Sequence, residues 1–524
     1  MEFVSDPPVW MKIQKMKQRV RWQEPIIVKR GIDQTQLVID DGQEDQPEYS
    51  FLVIGDSGSS AHQEHHPQRK IAELMLQHRD DCRFVLHTGD VVYLVGSSEY
   101  YYTNFIEPYR EFLVNGQNPQ TIKYDRMLFN QPFLPVPGNH DYYDLPLVYG
   151  LLAQTALPLR RLFGSQFDFD AGLHGSFQGQ GYAKAFLDYL LDIDNREQLE
   201  KHLDRYYNAN SQTGRCLRYQ PKEFTRLPNR YYSFRSGGID FFALDSNTFN
   251  FPLPLSKDAE GEANRRILEK RRAEARRQQQ EILQTMNSLN CDRPEEAERV
   301  DDLRTKLEQL EEIEKDVDKH LNARGEVTID WEQLNWLQER LIESWYTDSV
   351  RGRIIYLHHP PYVTEETKWY QSQTLAVRDR LREVLDEVAK AVGNLAGDRP
   401  LVDLVLTGHA HCLEYLRTMN TGYADSHINW IICGGSGYSL RRQREEGLEI
   451  TEQLENSPGK GVRTVARSLL FIGRSGQGYH KRRPYSFLRV DVRSGTPPKF
   501  LIRPFVAERY QQQWHETQVK PFEI

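Results

Sequence analysis

Short apolar runs that stop at a glycine or a polar residue recur along this chain of 524 residues. Their length and abrupt ends favour strands buried on both faces over segments of buried helix. The predicted strands are Tyr49–Ile54, Phe84–His87, Phe133–Val136, Asp240–Leu244, Arg353–Leu357, Val402–Leu406 and Trp430–Cys433. Helical periodicity lies between several of them, as at 69–78 and 377–392. Strands that alternate with helices predict a layered α/β fold.

Three stretches interrupt this alternation. Residues 142–228 are rich in Tyr, Leu, Gly and Arg, and they carry helical patterns at 182–191 and 196–207. Residues 257–325 are dominated by charged residues and Gln, with apolar residues repeating at spacings of seven and of three to four. That pattern predicts an antiparallel, coiled-coil-like helical hairpin with a thin apolar seam. Residues 435–483 show no clear periodicity and are expected to be long loops. Residues 1–47 are predicted to form an N-terminal arm with a strand near Leu37–Ile39.

Five short motifs stand at or near the ends of apolar runs. They are Gly-Asp56-Ser-Gly58, Gly-Asp90-Val-Val-Tyr93, Gly-Asn139-His140-Asp141, His358-His359-Pro and Gly-His409-Ala-His411. In α/β sheets, ligands collect just beyond the carboxyl ends of the strands. We therefore expect these motifs to meet in one site.

The motifs supply carboxylates, an amide oxygen and imidazoles, which together suit a pair of adjacent metal ions. Asp90 is the best candidate for a ligand shared by both ions, because a carboxylate has two oxygens and Gly89 lets the chain turn sharply. The other ligands divide between the two ions: Asp56 on one and Asn139 on the other, His409 and His411 one each, and His358 completing the second.

The order GDxG, GDxxY, GNHD, a strand-end His and GHxH resembles the calcineurin-like metallophosphoesterases, and the tyrosine variant is similar to the purple acid phosphatases. The resemblance implies a layered metallophosphoesterase β-sandwich flanked by helices, built from residues 48–141, 229–256 and 326–524. It implies that residues 142–228 form an insertion near the active site and that 257–325 form a hairpin insertion. The ligand sets that it implies are Asp56, Asp90, Tyr93 and His411 for the first ion, and Asp90, Asn139, His358 and His409 for the second.

Gly58 and Tyr93 point to the subgroup. Most of the superfamily carries a His two residues after the first Asp, where this chain has Gly58. A phenolate from Tyr93 would fill that vacancy and would stabilise Fe(III), paired with a divalent Fe, Mn or Zn ion. The alternative is a pair of Mn or Zn ions. The sequence GDxxDRG of the protein phosphatases is absent, so dephosphorylation of proteins by that family's mode is disfavoured.

The resemblance also implies roles toward the substrate. His140 is the candidate catalytic residue that assists the leaving group, and Asn139, His140 and His359 are the candidate substrate-binding residues. Purple acid phosphatases usually carry one more His about nine or ten residues after the strand-end His, where this chain has Thr367 and Lys368. Either His140 acts alone, or Lys368 or His359 replaces the missing group.

Composition limits the classes of partner that we expect for this chain. The formal net charge is −8, from 67 basic and 75 acidic residues, so nucleic acid is not the expected partner. No apolar run is long enough to span a membrane, and no signal peptide is visible at the N-terminus. The chain has 5 cysteines and no C-x-x-C, which disfavours a disulfide framework and fits a reducing cytoplasm.

The sequence therefore predicts a hydrolase that uses a metal-bound hydroxide on a phosphorylated small molecule, with monoesters first and diesters second. Two other hypotheses stay open. One is a homonuclear Mn or Zn phosphodiesterase in which Tyr93 is a bystander. The other is a non-enzymatic scaffold that binds a protein partner, or a second copy of the chain, through residues 257–325.

Overall fold

Two β-sheets packed face to face form the centre of the molecule. In this computed structural model the described residues are 5–43, 46–58, 65–144, 175–289, 293–323, 327–453 and 461–524. The strands are β1 (Ile32–Ile39), β2 (Tyr49–Ile54), β3 (Cys82–His87), β4 (Phe133–Pro135), β5 (Ala209–Ser211), β6 (Gly214–Tyr219), β7 (Tyr232–Ser236), β8 (Ile239–Ala243), β9 (Gly352–Tyr356), β10 (Leu404–Thr407), β11 (Leu413–Thr418), β12 (Asn429–Cys433), β13 (Glu449–Gln453), β14 (Val462–Ile472), β15 (Arg482–Val492), β16 (Phe500–Tyr510), β17 (Gln513–Gln518) and β18 (Phe522–Glu523).

The larger sheet has the order β13-β14-β11-β12-β10-β9-β8-β7-β1-β6-β5, and the smaller one has the order β17-β16-β15-β2-β3-β4, with β18 beside β16. Strands β8, β9, β10 and β12 are parallel, and so are β2, β3 and β4. Aromatic rings join the sheets: Phe51 and Phe84 each meet the ring of Phe241 edge-on, at 5.6 and 5.4 Å between centroids. The carboxyl ends of seven parallel strands are thus available to one site.

Helices flank the sheets. They are α1 (Val9–Arg19), α2 (Pro25–Val28), α3 (Pro67–His78), α4 (Gln180–Phe186), α5 (Arg196–Tyr206), α6 (Ala259–Asn287), α7 (Pro294–Leu321), α8 (Trp331–Trp345) and α9 (Ser372–Val392). Apolar residues of α8 and α9 pack with Ile355 and Val405 of the larger sheet. None of the described helices is both long and apolar enough to cross a lipid bilayer. The layered α/β architecture that the alternation predicted is therefore confirmed.

The predicted long loops at 435–483 are wrong over much of their length. At one edge of the larger sheet β13 pairs with β14, and β14 pairs with β11; β15 begins at Arg482. Edge strands of this kind lack the continuous apolar run of a strand buried on both faces, which is why the pattern did not reveal them. Within residues 1–47, strand β1 confirms the strand near Leu37–Ile39 and lies between β7 and β6, inside the larger sheet.

The two helices of the segment 257–325 pack along each other, with 290–292 outside the described residues. Helix α6 is largely exposed, whereas α7 buries Val300, Leu310, Val317 and Leu321, which belong to the predicted apolar seam. Helix α7 also buries polar residues, and these lie on the side of the helix that packs against the rest of the fold. The four described cysteines form no disulfide.

Candidate metal centre

All five motifs lie in loops that follow the carboxyl ends of strands. Asp56 follows β2, Asp90 follows β3, Asn139 follows β4, His358 follows β9, and His409 follows β10. The turns are tight, since Asp56, Asp90 and His409 have φ values of 52°, 57° and 64°. Non-glycine residues in this left-handed region are uncommon and cluster at functional sites. The predicted meeting of the motifs at one edge of the fold is what the structure shows.

The first predicted ligand set converges on the phenol oxygen of Tyr93. This oxygen lies 2.9 Å from Asp56 Oδ1, 2.8 Å from Asp90 Oδ2 and 3.2 Å from His411 Nε2. His411 Nε2 is also 3.6 Å from Asp56 Oδ1. Four side chains from three separate loops thus direct their donor atoms to one small volume.

The second predicted set converges on His358. Its Nε2 lies 2.9 Å from Asn139 Oδ1 and 3.3 Å from Asp90 Oδ2. The ring of His409 is 5.0 Å from the ring of His358. Asp90 Oδ2 therefore faces both clusters, as a ligand shared between two ions must.

The imidazoles are oriented by backbone carbonyls. Nδ1 of His358 lies 2.8 Å from the Thr88 oxygen, and Nδ1 of His411 lies 3.0 Å from the Ser439 oxygen. A carbonyl can only accept, so Nδ1 carries a proton in both rings, and Nε2 is the nitrogen that faces the cluster. Such a hydrogen bond fixes the tautomer and ring orientation of metal-binding histidines. Both rings thus present Nε2 to the cluster.

Because the centre is buried, its carboxylates and a phenolate are stable there only beside positive charge. Every side chain of the two sets is at most 5% exposed. Burial and the charge of Asp90 raise the pKa of Asp56 to about 8. For Asp90, burial acts in the same direction, but His358 and His140 hold its pKa below the usual range. Burial and the two carboxylates raise the pKa of Tyr93 well above its usual value, so the phenolate requires a cation close by. This donor set fits two metal ions, which would be held by the two clusters.

Asp141, which the sequence reasoning left without a role, supports the Asp90 loop. Its carboxylate accepts from the backbone N–H groups of Asp90, Val91 and Gly138 at 3.1, 3.2 and 2.9 Å. Asp90 Oδ1 in turn accepts the N–H of His140 at 2.8 Å. The signal was present in the sequence, because Asp141 directly follows Asn139 and His140 in the third motif.

His140 stands beside the first cluster, with its ring 4.2 Å from that of Tyr93. Nδ1 lies 2.5 Å from the Leu94 carbonyl oxygen, so the lone pair is on Nε2. Burial lowers its pKa, while Asp90 opposes the shift. The structure therefore places His140 at the edge of the cluster, where the resemblance implied a contact with the substrate.

His359 is fully buried, and both of its ring nitrogens have protein partners. Nδ1 lies 2.8 Å from Ser246 Oγ, and Nε2 lies 3.0 Å from Asn250 Nδ2. The ring of His359 is 4.5 Å from that of His409. One ring nitrogen from each of His358, His359 and His409 lies within 4.8 Å of the other two. His359 thus lies beside the second cluster, and its contact with the substrate stays a prediction.

Thr367 and Lys368, which stand where purple acid phosphatases usually carry another histidine, contact glutamate side chains. Thr367 Oγ1 donates to Glu365 at 2.9 Å, and Lys368 Nζ pairs with Glu312 of α7 at 2.8 Å. Burial lowers the pKa of His409, and the charge of Lys368 lowers it further. Lys368 stays a candidate for a charged contact with the substrate.

Tyr438 was missed by the sequence reasoning. Its ring stacks on that of Tyr93 at 3.9 Å and 6°, and its N–H donates to the Asp56 carbonyl at 3.0 Å. A Cβ at Gly437 would lie 2.3 Å from the Ser57 oxygen, which explains the glycine before it. The glycine run after strand β12, at the same edge as the other motifs, was the available signal.

Comparisons with known proteins agree with this geometry. Residues 49–203 match the family described as "Calcineurin-like phosphoesterase". No curated protein matches the chain. The matched region contains the first three motifs and ends before His358 and the motif of His409 and His411.

Similar solved structures include a dimetal phosphatase from Danio rerio, with 12% identity, a TM-score of 0.33, and coverage of 91% of this chain and 98% of that one. The purple acid phosphatase PPD1 from yellow lupin (Lupinus luteus) seeds has 12% identity, a TM-score of 0.40, and coverage of 91% and 54%. GAP50, the anchor in the inner membrane complex of Plasmodium, has 12% identity, a TM-score of 0.36, and coverage of 90% and 89%. Likeness at this level says nothing about the activity of this chain.

The match over residues 49–203 identifies the chain as carrying a calcineurin-like phosphoesterase region, and the resemblance read from the order of the motifs is confirmed.

Proposed function

We propose that this protein is a metal-dependent phosphoesterase that hydrolyses phosphate monoesters first and diesters second. The observation that carries the proposal is the convergence of Asp56, Tyr93 and His411 on one side of Asp90, and of Asn139 and His358 on the other. A pair of ions held there would activate a water and neutralise the charge of the phosphoryl group.

The chain's own residues prepare the site for this chemistry. Thr88 and Ser439 hold His358 and His411 in the tautomer that binds a cation. Asp141 fixes the loop of Asp90 through three backbone N–H groups. His140 holds a proton on Nδ1 and directs Nε2 away from Leu94. A hydrogen bond from Nε2 to a phosphate oxygen, or donation of a proton to the leaving group, requires the doubly protonated ring, because these oxygens accept.

The subgroup is the finer part of the proposal. The contact of Tyr93 with both carboxylates supports a phenolate on Fe(III), partnered by a divalent Fe, Mn or Zn ion. Metal analysis of the purified protein, together with its visible absorption spectrum, tests this. We expect a phenolate-to-Fe(III) charge-transfer band that disappears in Tyr93→Phe. An active, colourless protein that contains only Mn or Zn would instead identify the homonuclear enzyme, with Tyr93 as a bystander.

A binding role of the segment 257–325 is a second candidate, and one observation favours it. Helix α6 exposes Ile267 and Leu283, which are 61% and 46% accessible. A protein partner or a second copy of the chain would cover such side chains. The double substitution Ile267→Gln and Leu283→Gln leaves α7 in place and tests this role alone. Unchanged turnover with loss of association, measured by sedimentation, would assign α6 to binding; an unchanged monomer with unchanged turnover would exclude self-association through these residues.

A further inference from the structure

One face of α7 is polar and packs against the metal-centre side of the fold. Thr305, Gln309 and Asp316 recur at helical spacing and are 7%, 5% and 3% exposed. Asp316 accepts from the Ser372 N–H at 2.9 Å, and Lys319 donates to Asn250 Oδ1 at 3.3 Å. Residues three to four apart share one face of a helix. Helix α7 is therefore docked along this face and is not a solvated arm.

The middle of that face carries Glu312, which pairs with two buried cations. Its carboxylate lies 2.8 Å from Lys368 Nζ and 3.3 Å from Arg441 Nη2. Side-chain exposure is 3% for Lys368 and 0% for Arg441, but 22% for Glu312. A second carboxylate of α7, on Glu308, lies 3.6 Å from Arg441. The carboxylates thus reach the cations from the more open side.

The two cations adjoin the metal centre. The N–H of Arg441 donates to the carbonyl oxygen of His411 at 3.0 Å. Gln371 stands three residues after Lys368, and its Oε1 lies 3.3 Å from His409 Nε2. The segments that carry both cations therefore contact the two histidines of the last motif.

Buried cations need an anion. An unpaired charge in a low-dielectric site is costly, so Lys368 and Arg441 are stable only with a carboxylate or another oxyanion close by. Glu365 also faces them, but burial raises its pKa to about 7, which makes it a weak counter-charge. For Glu312, burial acts in that same direction, but Lys368 and Arg441 overcome it and hold its pKa below the usual range. Glu312 is thus the anion that fills this place when α7 is docked.

We propose that Lys368 and Arg441 form an oxyanion subsite beside the metal centre, which binds an anionic group of the substrate, and that Glu312 occupies this subsite while α7 is docked. The inference deepens the proposed phosphoesterase function and rests on it for the identity of the substrate. Helix α7 then acts as an internal competitor, because a tethered carboxylate has a high effective concentration at the cations.

The experiment compares Glu312→Gln with the wild type, using sulfate as an oxyanion that is not hydrolysed. The amide keeps the size of the side chain and removes its charge. We expect sulfate to bind about tenfold more tightly by calorimetry, and the KM for p-nitrophenyl phosphate to fall by a similar factor while kcat changes less. The matched control is Glu314→Gln on the same helix, whose carboxylate pairs with Arg276 of α6. This control should bind sulfate as the wild type does.

A double variant makes the test specific. In Glu312→Gln combined with Lys368→Met, the gain in sulfate affinity should vanish, because one of the two cations is gone. Thermal unfolding reports whether each variant is folded. Should Glu312→Gln not fold, Glu312→Asp, which keeps the charge but shortens its reach, should show a smaller gain.

Three results would overturn the subsite: sulfate affinity within twofold of the wild type in a folded Glu312→Gln or Glu312→Asp, an equal gain in Glu314→Gln, or a gain that survives Lys368→Met. Failure of the phosphoesterase proposal looks different. In that case no variant would hydrolyse the phosphate ester, yet sulfate would still bind more tightly to Glu312→Gln. The two proposals can therefore fail separately.

Discussion

At the scale of single residues, Gly58 lies where the backbones of two loops of the metal centre are in direct contact. A Cβ at this position would lie 2.0 Å from the Val91 carbonyl oxygen, and the Gly58 oxygen accepts the N–H of Tyr93 at 3.0 Å. The backbone here has no room for a side chain, so the histidine usual in the superfamily is excluded by packing. The same close approach brings the phenol of Tyr93 to Asp56.

Replacing Gly58 by Ala should therefore be severe. The added methyl group forces the two loops apart, and overpacking of a tight site costs about 1–3 kcal/mol or more of unfolding free energy. Urea denaturation measures the loss. Gly397→Ala is the control, since that glycine has φ +58° but nothing within 4 Å of its Cβ position, and it should cost only about 1–2 kcal/mol. Equal losses at the two positions would contradict the packing argument.

Glu414 provides a prediction on pH. Burial raises the pKa of this carboxyl to about 7 from an ordinary 4.5, although the Thr364 N–H, 3.0 Å away, opposes the shift. Because the folded pKa is the higher one, the stabilisation from protonated Glu414 is fully present below pH 4.5. It is lost as the pH rises through about 7.

Glu414→Gln cannot ionise and should lack this loss. Between pH 4.5 and 7 the wild type should lose up to about 3 kcal/mol of unfolding free energy relative to the variant. Urea denaturation across this pH range measures the difference in unfolding free energy between the wild type and the variant. The contributions of other titrating groups are the same in both proteins and cancel in this difference. The exposed Glu446→Gln is the control and should follow the wild type. A constant difference between Glu414→Gln and wild type would refute the assignment.

Residues of the centre could be predicted from the sequence where each stands within a few positions of a strand end. Asp56, Asp90 and His358 follow apolar runs directly, so local pattern and chemistry were enough. Tyr438 and Arg441 belong to a loop whose path depends on contacts with distant segments, and no periodicity points to them. Their roles appear only when the loop is seen against Tyr93 and Glu312.

At the scale of elements, the charged composition of α7 does not reveal its second contact face. Charge runs on a helix are most often solvated, and the apolar seam toward α6 accounted for the pattern. The structure shows a second contact face made of polar residues, which bind the backbone and side chains of the catalytic side. A hydrophobic pattern cannot reveal such a face, because its partners are hydrogen-bonding groups in other loops.

Asp316 gives this face a measurable role. Its carboxylate accepts from the N–H groups of Ser372 and Gln373 at 2.9 and 3.3 Å, and so caps α9 from another helix. Gln371, at the N-cap position of α9, makes no side-chain cap of its own. Loss of a cap costs about 1–2 kcal/mol. We expect that loss in Asp316→Ala, measured by urea denaturation.

The control for the cap is Asp318→Ala, two positions along α7. Its carboxylate pairs with Arg272 of α6 at 2.8 Å and is 27% exposed, so its removal should cost less than about 1 kcal/mol. If Asp318→Ala were as costly as Asp316→Ala, the contribution of Asp316 would come from the hairpin and not from the cap of α9.

At the scale of the whole molecule, the sandwich depends on pairings between distant segments. Strand β15 pairs with β2, so that Val492 lies opposite Tyr49. Local pattern cannot specify such a pairing, which is why the alternation of strands and helices predicted the class of fold but not the division into two sheets. The motifs meet because the sandwich brings β2, β3 and β4 of one sheet beside β9 and β10 of the other.

A buried ion cluster ties three of these distant segments together. Arg230 Nη1 lies 3.2 Å from Asp245 after β8, and Nη2 contacts Asp330 at the start of α8; all three side chains are at most 2% exposed. Tyr142, next to the third motif, donates to Asp245 at 2.7 Å. The cluster thus links the loop of the metal centre to the segments on either side of 257–325.

Asp330→Asn should destabilise the whole fold. The amide can still cap α8, so the substitution isolates the charge that Arg230 loses. Breaking a buried ion pair on one side costs about 3–5 kcal/mol when the remaining charge has no other partner. Because Arg230 keeps Asp245, we expect the lower end of this range. Urea denaturation should show one cooperative transition, with its midpoint at a lower urea concentration than in the wild type. Asp40→Asn is the control, since its pair with Arg218 is 32% and 35% exposed and should contribute less than about 1 kcal/mol. A similar small effect in both variants would mean that the cluster is not what holds these segments together.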